Sequence, residues 1–251
     1  MPESALLLAI DTCGPSGSVA LGRLFGQSVE ILGQIELEGR SYSSTLVAAV
    51  GDLLAQSGVP LREVSAIVAV NGPGSFTGVR VGLAAVKGLA EAARIPVVAV
   101  SRLEVLAAKS RAPGDRSSSL GWDAGVPSAA LDAHRHEVFL RLGLPDKTAA
   151  RSEAIGEQAR ELLAGAMELA AIDSAPTRIA LCDEAAALLL GSAWPDAELL
   201  RCAAPTAADA LALCAPRVAA GEFADLALLD GHYLRRSDAE IFGEPAKVAK
   251  A

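Results

Sequence analysis

The sequence predicts an α/β fold made of two related lobes, of which the second is the smaller. The chain opens with an apolar, strand-like run that ends in an acid (residues 6–11), followed by a turn and a returning strand (residues 18–21). The same outline recurs at residues 128–132 and 137–142. Because apolar strands alternate with helical patterns around both units, two mixed sheets flanked by helices are expected.

The first predicted helix, residues 43–57, has one apolar stripe. Its apolar residues recur at spacings of three and four, which places them on a single face. A Gly-Val-Pro sequence at residues 58–60 ends it. The stripe consists of Leu46, Val47, Val50, Leu53 and Leu54.

The second predicted helix, residues 79–94, is apolar or small around most of its circumference. Its four charged residues fall on one narrow strip. A helix that rests on one sheet needs only one apolar face, so the surplus predicts contact with a second polypeptide. The alternative is that other helices of the same lobe cover it. The predicted contact residues here are Val79, Gly82, Leu83, Ala85 and Val86.

Three glycines and a proline crowd the turn between the strand at residues 66–70 and this helix. The motif residues are Gly72, Pro73, Gly74, Ser75, Phe76, Thr77, Gly78 and Arg80. Such a turn is either functional or tightly packed, and the spacing matches neither a Walker loop nor a dinucleotide fingerprint. Arg80 could pair with a partner carboxylate or a phosphate, or it could simply be solvated.

The second half begins at a composition break. Residues 111–125 are rich in Gly, Ser, Pro and Asp, which predicts a boundary between a first lobe at 1–110 and a smaller lobe at 111–205. A helix at 206–221 is expected to return to the first lobe, and a tail at 236–251 to be loosely held. Further helices are predicted at 152–170 and 184–190, and a strand at 178–182.

Composition restricts the possible function classes. The net charge is −8 and the 22 basic residues are scattered, so the chain alone should bind nucleic acid poorly. Its four cysteines have no close-paired spacing, which argues against a zinc site and a disulfide framework and predicts reduced, mostly buried thiols. No apolar run could span a bilayer and the start lacks a basic signal region, so a cytoplasmic protein is expected.

The candidates for catalysis are weak. The three histidines, His134, His136 and His232, come with no evident third metal ligand, so no metal site is predicted. Ser75 lacks the second glycine of a hydrolase elbow. Asp11 with Thr12, together with Asp132, could hold a magnesium nucleotide between the lobes, or these carboxylates could cap their own turns.

Taken together, these residues resemble the TsaB (YeaZ) family of bacterial tRNA-modification proteins. The resemblance is carried by the motif turn, by residues 8–12, 131–133 and 137–138, and by Tyr233-Leu234-Arg235. It implies an actin/Hsp70-like (ASKHA) two-lobe fold with duplicated RNase H-like sheets, the second lobe reduced. It also implies a role in making N6-threonylcarbamoyladenosine in tRNA.

The resemblance further implies a non-catalytic subunit that needs no cofactor of its own. Such a subunit pairs with and activates the catalytic subunit TsaD through its first two helices, in a complex that recruits the ATPase TsaE and meets tRNA only indirectly. A homodimer when isolated, and ATP or ADP at the boundary with the partner, are also expected. The chain departs from the family at Tyr42, where many relatives carry histidine. The competing hypothesis is a stand-alone, ATP-dependent small-molecule kinase of the same fold.

Overall fold

The computed structural model describes residues 4–39, 41–110, 128–143 and 159–235. Its first half is built on a five-stranded sheet in the order β3-β2-β1-β4-β5. The first three strands form an antiparallel meander, and β4 and β5 continue parallel to β1 on its other side. The strands are β1 (Ala5–Asp11), β2 (Ser16–Phe25), β3 (Ser28–Glu38), β4 (Val64–Val70) and β5 (Val97–Val100).

A second five-stranded sheet repeats this plan, in the order β10-β9-β6-β7-β8. The strand β6 occupies the position of β1, with β7 and β8 antiparallel on one side and β9 and β10 parallel on the other. The predicted duplicated α/β fold is therefore confirmed. The strands are β6 (Ser128–Asp132), β7 (Glu137–Gly143), β8 (Ala159–Gly165), β9 (Arg178–Leu181) and β10 (Glu198–Arg201).

Six α-helices accompany the two sheets in the described residues. They are α1 (Tyr42–Gln56), α2 (Phe76–Ala93), α3 (Arg102–Lys109), α4 (Ala166–Ala170), α5 (Glu184–Ala193) and α6 (Ala207–Ala220). Ser75 caps α2, so that helix begins three residues before the predicted start. Thr206 and Asp209 form a capping box on α6, and Gly221 ends it in a left-handed conformation. No helix of these described segments is long and apolar enough to cross a membrane.

Helices cover both faces of the first sheet. The pair α1 and α2 contact each other, with α1 on β2 and β3 and α2 on β1 and β4. The helix α6 contacts all five strands of the same sheet. Successive residues of β1 from Leu7 to Asp11 are consequently buried, as expected for a strand covered on both sides. The short helix α3 packs instead on β6, β7 and β9 of the second sheet.

The predicted helix at residues 152–170 is wrong over most of its described part. Residues 159–165 form β8, and only residues 166–170 are helical. The strand β8 runs antiparallel to β7, with Gly165 opposite Glu137 at one end and Ala159 opposite Gly143 at the other. Hydrogen bonds and side-chain packing along β7 outweigh the high helix propensity of this segment, which consists mainly of Ala, Arg, Glu and Leu. The start of the predicted helix, the composition break at 111–125 and the tail at 236–251 lie outside the described residues.

Candidate functional site

The motif turn packs against the end of strand β1. Ser75 N donates a hydrogen bond to the Cys13 carbonyl at 2.8 Å, and Thr12 Oγ1 donates to the Gly78 carbonyl at 2.7 Å. A Cβ atom on Gly74 would stand 2.1 Å from the Cys13 oxygen. Gly74 also has φ +159°, in the region that favours glycine. The motif glycines therefore serve a tight backbone contact between two turns.

Gly82, one turn further along α2, meets the same part of β1. A Cβ atom here would lie 2.2 Å from Thr12 Oγ1. Gly82→Ala is expected to lower the free energy of unfolding by about 2–3 kcal/mol, because the added methyl overpacks a buried contact. In a Thr12→Ala background the loss should fall below about 1 kcal/mol, since the clashing oxygen is gone.

Urea unfolding of the parent, Gly82→Ala, Thr12→Ala and the double variant measures the coupling free energy between positions 12 and 82. Gly88→Ala is the matched control, because its Cβ would meet nothing within 4 Å and alanine favours helix by up to about 1 kcal/mol. Strictly additive effects of the Thr12 and Gly82 substitutions would contradict the proposed contact.

Asp11 lies at the centre of this region and is almost completely buried. Its Oδ1 accepts a hydrogen bond from Cys13 N at 2.8 Å. Its Oδ2 lies 3.3 Å from Arg102 Nε, and the two residues are 1% and 5% exposed. Burial alone would lower the pKa of Arg102, but the Asp11 charge raises it above its ordinary value. Both carboxylate oxygens are thus occupied, in the turn-capping arrangement that the sequence left open.

Tyr42 covers the Asp11 turn from the start of α1. Its hydroxyl donates a hydrogen bond to the Gly14 carbonyl at 2.9 Å, and a Cβ on Gly17 would lie 2.8 Å from the same hydroxyl. Burial, reinforced by the Asp11 charge, raises the pKa of Tyr42. The residue that departs from the family pattern is therefore a buried, neutral part of the turn.

Asp132, the counterpart of Asp11 in the second sheet, also caps its own turn. Its Oδ1 accepts from His134 N at 2.8 Å, and its Oδ2 lies 2.9 Å from His134 Nδ1. Its backbone N–H donates to Asp183 Oδ2 at 3.0 Å. The geometry assigns each carboxylate a local role, and nucleotide binding by Asp11, Thr12 and Asp132 stays a prediction. Among the described residues, no three His, Cys, Asp or Glu side chains cluster as a metal site.

The structure corrects most of the predicted partner face. The side chains predicted to be exposed there are instead part of the chain's own core, where the sheet and the neighbouring helix cover them. These buried residues are Leu46, Val50, Leu53, Leu54, Val79, Gly82, Leu83 and Val86. Ala85 is half-buried. Of the ten, Val47 alone is largely exposed, at 65%.

The outward faces of α1 and α2 carry many small residues beside polar and charged ones, and few large apolar ones. Around Val47, α1 exposes Ser44, Ala48, Gly51 and Ala55, and α2 exposes Thr77, Ala84, Gly88 and Ala92. We call these two surfaces the outer face. Gly51 and Gly88 lie in the middle of their helices, and a Cβ at either would meet no atom within 4 Å. Packing against the described residues therefore requires neither glycine.

At the start of α2, an exposed group of side chains joins the motif to the C-terminal segment. The guanidinium of Arg80 lies 3.9 Å from the centroid of the Phe76 ring, and its Nε donates to the Tyr233 hydroxyl at 3.4 Å. The two rings are 5.2 Å apart and remain 41% and 37% exposed. Arg80 is therefore neither freely solvated nor buried, but fixed on an aromatic surface.

The residues around Glu161 form a junction that the sequence did not predict. The Glu161 carboxylate accepts hydrogen bonds from Ser101 Oγ and Arg141 Nη1, both at 2.7 Å, and lies 2.9 Å from His232 Nε2. The backbone N–H of His232 also donates to the Asn71 carbonyl at 2.7 Å. The junction thus ties β8 of the second sheet to α3, to the motif turn and to the C-terminal segment.

This junction predicts a pH-dependent stability. Burial alone would raise the pKa of Glu161, but the adjacent His232 imidazole and the hydrogen bonds from Ser101 and Arg141 lower it below its ordinary value. Because the pKa is depressed in the folded chain, its stabilisation is present above the unfolded pKa and is lost as pH falls through the folded pKa. Glu161→Gln should cost about 1–3 kcal/mol near pH 7.

Urea unfolding of this variant and the parent between about pH 7 and pH 3 is the measurement, because a carboxyl of ordinary pKa near 4.3 titrates there. The difference in unfolding free energy between the two should shrink towards the acidic end. A difference that stays constant across the series would exclude an ionised Glu161 as its cause.

Comparison with known proteins finds relatives of this chain. The family model described as TsaD, tRNA N6-adenosine threonylcarbamoyltransferase, matches residues 31–172. The tRNA threonylcarbamoyladenosine biosynthesis protein TsaB of Haemophilus influenzae is 36% identical over 138 residues, 55% of this chain and 53% of that protein. Its namesake from Escherichia coli is 34% identical over 133 residues, 53% of this chain and 52% of that protein.

The sequence matches therefore span about half the length of these curated relatives. The solved structure of YeaZ from Pseudomonas aeruginosa extends the similarity, covering 92% of this chain and 100% of its own, with a TM-score of 0.63 at 26% identity. The two mixed sheets of the fold agree with these matches. The chain belongs to the TsaB (YeaZ) family of TsaD-type proteins.

Proposed function

We propose that this chain is a non-catalytic subunit in the biosynthesis of N6-threonylcarbamoyladenosine in tRNA. Its role is to bind and activate a TsaD-type threonylcarbamoyltransferase through the outer face of α1 and α2. Family membership and the names of the TsaB relatives support the pathway. The observation that carries the binding surface is the pair of open, mid-helix glycines, Gly51 and Gly88.

Glycine in the middle of a helix is destabilising, and it is useful only where a neighbouring group must approach the helix backbone closely. Each glycine costs about 0.5–1 kcal/mol relative to alanine. No contact within the described part of the chain requires the missing side chain, because the space beside both residues is open there. A second helix packed across the outer face would use both glycines, since small residues let two helix backbones approach closely. The proposed occupant is therefore a helical surface of the partner subunit.

The kinase hypothesis has less support from the same chain. A magnesium nucleotide would have to recruit Asp11, whose two oxygens are already engaged by Cys13 N and Arg102. Breaking a buried ion pair to free one carboxylate is unfavourable. The proposal carries three further expectations. A TsaE-like ATPase is the third component of the complex, the isolated chain forms a homodimer, and ATP or ADP binds at the boundary with the partner.

The test blocks the outer face without disturbing the fold. Gly88→Leu and Gly51→Leu should each weaken binding to the TsaD-type transferase of the same genome by about 100-fold or more, because a bulky side chain separates the helices. Ala212→Leu, an exposed small residue of α6, is the matched control. Calorimetric titration gives the Kd, and thermal unfolding of each variant alone checks the fold.

The functional readout is formation of threonylcarbamoyladenosine in tRNA by the reconstituted pathway. Activity should fall with affinity in the two glycine variants and stay at the parental level in Ala212→Leu. If both glycine variants bind and support modification like the parent, the assigned surface is wrong. If the parent neither binds the transferase nor raises its activity, the proposed function itself fails.

A further inference from the structure

The second sheet brings together two cysteines that are far apart in the sequence. In the parallel pair β9 and β10, Leu181 lies opposite Arg201. Cys202 N donates a hydrogen bond to the Leu181 carbonyl at 2.8 Å, so the ladder continues one residue beyond the strands. Cys182 and Cys202 therefore occupy opposite positions on neighbouring strands.

Their side chains share one face of the sheet. Both thiols are half-buried against the apolar cluster that α3 forms with this sheet around Leu103, Leu106 and Leu131. Neighbouring strands run about 4.8 Å apart, and disulfides join Cα atoms about 4.4–6.8 Å apart. Both cysteines are free thiols in the structure. Opposite register, a common face and this strand spacing meet the backbone requirement for a bridge.

We propose that Cys182 and Cys202 are a thiol-modification site, oxidised reversibly to an intramolecular disulfide by a low-molecular-weight disulfide such as glutathione disulfide. The Cys202 thiolate, on the edge strand, attacks the reagent and releases one glutathione thiolate. The Cys182 thiolate then attacks the Cys202 sulfur and releases the second. Two protein thiols are oxidised, one disulfide is reduced, and the two protons pass to the glutathione thiolates or to water.

The surroundings make this exchange slow at neutral pH. Burial is the main cause that raises the pKa of Cys182 to about 11. The Asp183 charge and Cys202 also raise it, and the charge of Arg102 on α3 opposes them. Burial also raises the pKa of Cys202, against the opposing charge of Lys109 on α3. Only the thiolate reacts, so the rate should rise about tenfold per pH unit between pH 7 and 9. High-pKa thiols are also poor leaving groups, so the disulfide should resist reduction once formed.

The disulfide would sit at the beginning of the connection from the second sheet to α6. Just beyond Cys202, Lys109 Nζ of α3 donates to the Ala204 carbonyl at 3.4 Å and to Asp209 Oδ2 at 2.5 Å. Oxidation would fix β10 to β9 next to these contacts. It would therefore stiffen the connection through which the second sheet leads into a helix of the first.

The experiment oxidises the full chain in its folded state and maps the product. A Cys214→Ser background is used, because tryptic cleavage after Arg201 leaves Cys202 and Cys214 on one peptide and Cys182 on the preceding one. After incubation with glutathione disulfide at pH 8, acid quenching and alkylation, we expect a linked pair of peptides bearing Cys182 and Cys202. Cys13, which is fully buried, should be alkylated only after unfolding.

Single variants separate this pathway from incidental oxidation. In Cys182→Ser the Cys202 thiol should accumulate as a mixed disulfide with glutathione, because the resolving thiol is missing. Recovery of Cys182 and Cys202 as free thiols or as two separate glutathione adducts, after oxidation long enough to modify a free-thiol standard, would overturn the proposal. So would a disulfide that links two chains instead of one, seen as a dimer on a non-reducing gel.

Discussion

Arg102→Met is expected to lower the free energy of unfolding by about 3–5 kcal/mol, because it leaves the Asp11 carboxylate as a buried charge without its partner. Asp11 is 1% exposed and its Oδ2 lies 3.3 Å from Arg102 Nε. Methionine keeps most of the length and apolar contact of the arginine stem, so the loss reports on the ion pair rather than on a cavity.

The double variant Asp11→Asn/Arg102→Met is the control for this result. Removing both charges should restore about half or more of the lost stability, since no unpaired ion remains. Urea unfolding of the parent, both single variants and the double variant closes the cycle. A single Arg102→Met variant within about 1 kcal/mol of the parent would mean that water reaches Asp11 in solution.

The second large effect concerns α2. Val86→Glu is expected to destabilise the chain by more than about 4 kcal/mol, or to prevent folding, because position 86 is 1% exposed and a carboxylate there would be buried in the hydrophobic core. Val47→Glu, at a position that is 65% exposed, should stay within about 0.5 kcal/mol of the parent.

Thermal unfolding and gel filtration of the two variants distinguish burial inside the chain from burial by a partner. If Val86→Glu folded normally and only lost association with another subunit, α2 would be turned the other way and its large apolar residues would form the contact. Val47→Glu, in contrast, is expected to fold normally and to bind the transferase less tightly.

These variants also show what the sequence could and could not predict about the helices. The helical pattern of residues 43–57 and 79–94 was visible from spacing alone, and both helices exist within a few residues of the expected bounds. Periodicity does not reveal how many neighbours a helix has. Because α2 packs on β1, β4 and α1, its wide apolar arc is already covered. The outer face is marked instead by Gly51 and Gly88, a weak signal in any one sequence.

The motif turn was recognisable for a different reason. Glycines at fixed places between a strand and a helix predict close backbone contact, and the contact is with the Asp11 turn of β1. The Glu161 junction gave no comparable signal, because Ser101, Arg141 and His232 are distant in sequence and meet only when the second sheet forms. Cys182 and Cys202 likewise gave no signal, because they are distant in the sequence and the cysteine spacing argues against a disulfide framework.

The placement of α3 and α6 has a consequence for the divisibility of the chain. The helix α3 follows the strands of the first sheet but lies on the second, and α6 follows the strands of the second sheet but lies on the first. Each half of the chain thus supplies a helix that covers the sheet of the other half. A cut between the halves would therefore leave each sheet without one of the helices that cover it.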